Sequence, residues 1–304
     1  TNKRIQAETD VNFGAYTPAN YFLRTVHEAG NSMYLEGYKL SGMSYATYVS
    51  GEGWHGDLLY MAGANIQDDY LPTSNVYSGP GSPDATGMAV SSSASNAYEI
   101  TGMNHHMIFS YTNSSIVLED TIFSAYQKNN FEFSVDPSTL EFPTTRFRHE
   151  VPNDLGVASD YQAVAFVELT YPHTPNLEAA SFYKMSIPFN GSESKTRYDF
   201  VNFTSATPWA FTLDGQMKKI PVVETAGTFQ VLIPNLTGGA SQDFILFDES
   251  QMISVSDLNA VNGTGDFVNY SVANFESAYI IVSHKSLWAS ATEYGAYRSS
   301  VSGG

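Results

Sequence analysis

Through most of the chain, apolar side chains fall at alternate positions, in short runs closed by glycine, proline, asparagine or aspartate. A period of two puts successive side chains on opposite faces of a strand, so each run predicts a half-buried β-strand. Gly87–Ser93, Ala97–Thr101, Met107–Thr112, Ser115–Glu119 and Phe131–Val135 follow this pattern. The strongest run is Gln162–Tyr171, with Val164 and Phe166 near one face and Val167 and Leu169 on the other. Apolar residues on both faces predict a central strand. Asp68–Asp84, with Pro72, Gly79-Pro80-Gly81 and Pro83, predicts a loop. Short strands at regular spacing predict an antiparallel β-sandwich or jelly roll.

This first domain is expected to span residues 1–175, closing at Pro172–Pro175. Residues 176–270 predict a smaller all-β domain and a polar connector. Its strands run from Ser181–Ile187 through Thr196–Phe203, Ala210–Leu213, Lys219–Val223 and Thr228–Ile233 to Asp243–Phe247, with Asp214-Gly215 as a hairpin turn. In residues 271–304 the period changes. Ala278–His284 is rich in aromatic and β-branched residues and predicts a buried strand. Leu287, Trp288, Ala291, Tyr294 and Tyr297 then recur at helical spacing. A buried strand followed by an amphipathic helix is the opening step of a sheet with helical crossovers, and one such step does not complete the sheet. Residues 271–304 are therefore expected to be the start of a truncated α/β domain.

Composition narrows the function classes. The 304 residues are 42% hydrophobic and 14% aromatic, enough for a real core. With 14 Lys plus Arg against 31 Asp plus Glu the net charge is −17, which repels phosphate backbones and anionic lipid, so neither nucleic acid nor a membrane surface is an expected partner. Cysteine is absent, which removes disulfides, a thiol nucleophile and thiolate metal sites from this chain. No apolar run reaches membrane-spanning length. Thr1-Asn2-Lys3-Arg4 precedes no hydrophobic signal core, so any export signal is expected to have been removed.

Candidate chemistry is sparse. His105 and His106 are neighbours at a strand start and point to opposite faces, which stops them sharing one metal. Asp68 and Asp69 fail as paired carboxylates by the same geometry and are expected at a solvated loop edge. Asp257-Leu258-Asn259-Ala260-Val261-Asn262-Gly263 with Asp266 resembles an oxygen-rich calcium loop. It misses the EF-hand spacing by one position and has Val268 where the closing glutamate belongs, and an Asx-rich turn explains the same residues. Trp54 and Trp209 are candidates for a sugar-stacking platform, although among 20 Tyr and 19 Phe core roles are the expectation for most aromatics. Asn-x-Ser/Thr triplets begin at Asn113, Asn190, Asn202, Asn235, Asn262 and Asn269, at the level chance provides. No G-x-S-x-G nucleophile elbow occurs. No catalytic, metal or cofactor residue is assigned, and calcium is the one cofactor the motifs bring up.

Three stretches carry a family resemblance. They are Tyr34-Leu35-Glu36-Gly37-Tyr38 with Ser50-Gly51-Glu52-Gly53-Trp54-His55-Gly56-Asp57; Phe147-Arg148-His149 with Ser159–Pro172; and Ala278–Ser300 with Trp288 and Tyr297-Arg298. In this order the chain resembles the N-terminal half of PorU-type proteins, gingipain-type cysteine peptidases of Bacteroidetes that act as the sortase of the type IX secretion system. The resemblance implies β-rich domains ahead of a caspase-like α/β domain with a His/Cys dyad, and places Ala278–Ser300 at the start of that domain. It also implies a bacterial cell-surface location and three partners: the remainder of the peptidase chain, secreted cargo proteins and an outer-membrane β-barrel protein. None of the seven histidines sits in a matching motif, so no catalytic residue carries over. The expected role is an accessory region that positions the peptidase domain and contacts cargo. The alternatives are a non-catalytic surface adhesin or carbohydrate-binding β-sandwich, and a carboxylate-based glycoside hydrolase with two acids about 5–10 Å apart.

Overall fold

The longest strand, Tyr161–His173, is the axis of the architecture. In the computed structural model it pairs antiparallel with Phe22–Ala29 on one side and Ala85–Ser93 on the other. The structure describes residues 5–34, 39–40, 43–44, 54–93, 102–111, 116–124, 127–189, 191–213, 217–236, 241–255 and 281–300. It divides into two units, Thr1–Met252 and Ile253–Gly304.

The first unit is mainly antiparallel β. The central strand belongs to a ten-stranded sheet that runs from Lys128–Val135 at one edge, through Phe182–Pro188, Ser241–Asp248 and Pro208–Thr212, to Lys218–Ile220 and Gln6–Ala7. A four-stranded sheet, ordered Ile116–Phe123, His105–Tyr111, Thr144–Glu150, Ile66–Pro72, shares one hydrophobic core with it. Phe109, Phe147, Met107 and Leu71 meet Val167, Leu169, Phe131 and Phe133 there. A three-stranded sheet of Lys195–Val201, Thr228–Pro234 and Val223–Thr225 shares a second core, built on Phe22, Leu177, Tyr198, Phe200 and Phe244. The cores change over between Tyr171 and Leu177, yet Phe22 belongs to the second, and Gln6–Ala7 pairs with Lys218–Lys219. The large sheet runs unbroken across the changeover.

Two expectations are corrected. Asp68 and Asp69 lie in a strand, Ile66–Pro72, paired residue by residue with Thr144–Glu150. The partner that makes it a strand comes from eighty residues away, where Arg148 grips Asp68 at 2.7 and 2.8 Å. In the central strand, Val164 and Val167 both enter the first core, whereas Phe166 is only half buried against His27. The register with Ala85–Ser93 shifts between Val164 and Phe166, and such a bulge reverses the alternation beyond it.

The bulge explains the nearby glycines. The Gly30 N–H donates to the Ala165 carbonyl at 2.7 Å and the Gly56 N–H to Val164 at 2.8 Å. Gly87 makes room instead for the Phe133 ring, which a Cβ would meet at 2.2 Å.

In the second unit, a 3-10 turn at Lys285–Leu287 leads into an α-helix at Trp288–Arg298, where helical spacing predicts one. The His284 side chain accepts the Ser286 N–H ahead of it. Of the predicted strand, 278–280 lie outside the described residues, and Ile281–His284 carry no strand pairing. Val282 is 93% exposed and Trp288 69%. A strand needs a neighbour for its backbone groups, and no described strand pairs with this segment.

Candidate functional site

Alternation sends His105 and His106 to opposite faces, and each is buried against acids. His105 Nδ1 donates to Asp160 Oδ1 at 2.7 Å, and its ring stacks on Phe123 at 5.0 Å. The other Asp160 oxygen accepts the His106 backbone N–H at 2.9 Å. His106 Nδ1 faces Asp154 at 3.0 Å and Nε2 faces Asp120 at 2.8 Å. Two carboxylates on two ring nitrogens need both nitrogens protonated. Burial opposes that charge, but the hydrogen bonds and charges of Asp154 and Asp120 outweigh it and raise the His106 pKa. The cluster clamps the 151–160 segment onto the four-stranded sheet. Among the described residues no group of three or more His, Asp or Glu is arranged to hold a metal.

A second polar cluster sits where the cores change over. Glu178, held at positive φ, accepts from Arg24 Nη1 at 2.9 Å, from Asn75 Nδ2 at 2.8 Å and from the Ser74 hydroxyl. Burial acts against its charge, yet the Ser74 and Asn75 bonds and Arg24 bring its pKa down to about 2. His173, wholly buried, donates from Nδ1 to the Thr174 carbonyl at 2.6 Å and accepts from Arg24 at Nε2. Burial, with the Arg24 charge beside it, lowers its pKa and keeps it neutral. Burial also raises Tyr171 to about 12, and its hydroxyl donates to the Ser74 carbonyl at 3.1 Å. This network fastens the two cores together.

The third place is a mouth at one end of the first core, lined by Glu28, Asp57, Gln67 and Asp69 among others, with a volume of about 360 Å³. Asp68 and Asp69 diverge as their strand requires. Asp68 takes Arg148 on one face, and burial cannot offset that bond, so its pKa is lowered. Asp69 turns inward toward His149, whose Nδ1 is 3.7 Å from Asp69 Oδ2.

The remaining candidates scatter. Trp209 has Lys219 Nζ 3.6 Å above its ring and Phe211 stacked nearby, so one ring face is occupied. Trp54 is half exposed, two residues before Gly56 of the cavity lining. Glu132 and Glu168 flank Met88 in one row across three strands, in a groove of about 570 Å³ with Thr86, Ser134 and Thr170. Two strand spacings separate these acids, roughly 10 Å. Both rise from one sheet face, whereas hydrolysis needs acids on opposite sides of the scissile bond. The Asp257–Asp266 loop and Asn113, Asn190, Asn262 and Asn269 lie outside the described residues. Asn235 is engaged by Glu193 and Thr196, and Asn202 by Asn176.

Sequence reasoning missed Arg24, Glu178, His149 and Asp160. Their partners lie far off in the chain, and no local spacing signals them.

Comparison with known proteins places the fold first: a large antiparallel sheet with smaller sheets closing two cores. The solved structure of dimeric latent PorU from Porphyromonas gingivalis superposes with a TM-score of 0.54 at 14% identity, over 82% of this chain and 22% of that one. The likeness read in the sequence is thus present in the fold, and the chain spans about a fifth of that protein. A structure of the Macrobrachium rosenbergii nodavirus aligns over 81% of this chain and 93% of that one, at 11% identity, but with a TM-score of 0.20 that marks no common fold. No protein-family model matches the chain, and no curated protein matches it.

Proposed function

We propose that this chain is a β-rich accessory region of a larger, cell-surface cysteine peptidase of the PorU type, which trims C-terminal signals from cargo of type IX secretion. The supporting observation is the fold likeness over 82% of this chain and only 22% of the longer protein. The 304 residues contain no cysteine, so on this reading the thiol of the dyad comes from another part of the protein. Its work is positional: the fastened pair of cores holds the peptidase domain, meets cargo or an outer-membrane β-barrel partner, and helps to shield the active site. Leu287, Trp288, Tyr294 and Tyr297, all exposed on the terminal helix and the turn before it, are the surface on which the peptidase domain packs.

The test is to read the coding sequence past Gly304 and to express the extended protein with and without residues 1–252. The reading expects a His and a Cys on neighbouring strand ends of an α/β sheet in the extension. It also expects slower trimming of a secreted cargo when residues 1–252 are deleted. An extension lacking that pair, or trimming at an unchanged rate, overturns it.

A further inference from the structure

The large sheet is apolar on both faces where it carries the second core. Alternation sends Tyr183, Met185, Ala210, Ile220, Phe244 and Leu246 into that core. Their neighbours Phe182, Trp209, Phe211, Ile245 and Phe247 point the other way, and none of the five belongs to either core. Phe182 is half exposed and the other four are partly exposed. Strand pairing sets them in two rows. Phe182, Phe247 and Trp209 form one, and Lys184, Ile245, Phe211 and Lys219 form the next. The aromatic rings make one continuous strip. Centroids lie 6.4 Å apart for Phe182 and Phe247, 5.9 Å for Phe247 and Phe211, and 6.1 Å for Phe211 and Trp209. An antiparallel sheet with one wet face keeps its apolar side chains on the other, and that rule fails here. A contiguous apolar patch rimmed by polar groups marks an interaction surface.

The patch also has a shape and a sign. Phe182 and Trp209 are two strands apart, roughly 10 Å, which is about the diameter of an α-helix. Lys184 and Lys219 close the second row at its two ends, about 14 Å apart. A cation therefore stands on each long side of a strip one helix wide. Lys219 Nζ lies 3.6 Å from the Trp209 ring centre, and Lys184 meets Asp243 at 3.0 Å. Both members of that ion pair are more than a third exposed, so it is weak, and an ammonium group has three N–H donors to share. A second copy laid on this face about a two-fold axis along or across the strip sets cation against cation either way. A partner with acids on both flanks of an apolar stripe meets neither penalty.

We propose that this face seats an amphipathic α-helix of a partner protein, its apolar stripe on Phe247, Phe211 and Ile245 and its flanking acids on Lys184 and Lys219. The helix runs along the strands, in the helix-on-surface mode read by apolar anchors one turn apart. This inference does not rest on the accessory role, and a failed peptidase-domain test would leave it standing.

The test is titration of the whole chain with two peptides, three repeats of Glu-Leu-Ala-Gln-Leu-Glu-Ala and the same sequence with lysine for glutamate. With Trp54→Phe and Trp288→Phe, Trp209 is the one tryptophan left to report. The glutamate peptide should bind saturably, with Kd below about 1 mM, and shift the Trp209 emission to the blue. General attraction to a chain of net charge −17 favours the lysine peptide, so tighter binding of the glutamate peptide isolates the lysine-edged face. Lys184→Glu combined with Lys219→Glu should weaken that binding about tenfold and reverse the preference. Phe182→Ser should weaken it severalfold, and Lys128→Glu, at the far edge of the sheet, should leave it unchanged. No saturation by the glutamate peptide at millimolar concentration, equal or tighter binding of the lysine peptide, or binding indifferent to the face variants overturns the proposal. Self-association in sedimentation that Phe182→Ser abolishes overturns it too, because a second copy then covers the face. Should circular dichroism show the double lysine variant unfolded, Lys184→Glu and Phe182→Ser decide, since both positions are at least half exposed.

Discussion

Gly30 and Gly56 meet backbone to backbone, so that a methyl group added to Gly30 would stand 2.0 Å from the Gly56 nitrogen. The contact brings both N–H groups onto the bulge carbonyls of Ala165 and Val164. Two glycines, each just past the end of a strand, therefore hold the irregularity in the central strand. Gly30→Ala has no flexible side chain to push aside, only backbone. It should cost about 3 kcal/mol, the upper range of overpacking. Gly14→Ala, with nothing within 4 Å of its added Cβ, should change stability by about 0.5 kcal/mol or less. Urea unfolding of the two variants checks this, and equal midpoints would refute the contact.

His106 should make the fold less stable as pH rises. Its folded pKa is raised above the unfolded value of about 6.5. The stabilisation is therefore complete below that value and is lost as pH climbs through the folded pKa. Asp120 and Asp154 are more than half exposed, so solvent screening limits the effect to about 1 kcal/mol. Melting temperatures at pH 6 to 9 should fall for the natural chain and stay flat for His106→Gln. His173, whose pKa is lowered, acts in the opposite direction and only below pH 6.5 or so.

Glu178 should act at the acid end. Its pKa is brought down to about 2, so its contribution is present above the unfolded value near 4.3 and disappears as pH falls toward 2. Glu178→Gln keeps the shape and removes the charge that Arg24 faces. It should lower stability at neutral pH by about 1–2 kcal/mol and flatten the slope between pH 5 and 3. Urea unfolding at both pH values measures it, and an unchanged acid slope would show that Arg24 and Glu178 are not coupled.

These residues mark how far the sequence could be read. Gln162–Tyr171 was legible as a central strand because apolar residues occupy both of its faces. Its bulge was not, since an extra apolar residue leaves the composition unaltered and only the register against Ala85–Ser93 reveals it. Asp68-Asp69 reads as loop because acids and Pro72 disfavour strands locally. Tertiary pairing with Arg148 overrides that preference. The opposite orientation of His105 and His106 follows from strand geometry, but their acids lie 14 to 55 residues away. The mouth was invisible for the same reason: Gln67 meets His149 only after two strands separated by the first core's chain have paired. The helix at Trp288–Arg298 was legible from its period alone, which is a local property.

That helix provides the sharpest check on the accessory role. Trp288 is 69% exposed, and Leu287, Tyr294 and Tyr297 are exposed with it. Replacing an exposed aromatic costs little, so Trp288→Ala in the chain of 304 residues should shift stability by no more than about 0.5 kcal/mol. In a protein extended through the proposed peptidase domain, the accessory reading expects the same ring to be buried between helix and sheet. Its loss then leaves a cavity and should cost about 3–5 kcal/mol. Measuring both variants by chemical denaturation compares one substitution in two contexts. A large effect in the extended protein alone supports the packing of that domain on the helix. An equally small effect in both would mean that the helix faces solvent there too, and the accessory reading would lose its point of attachment.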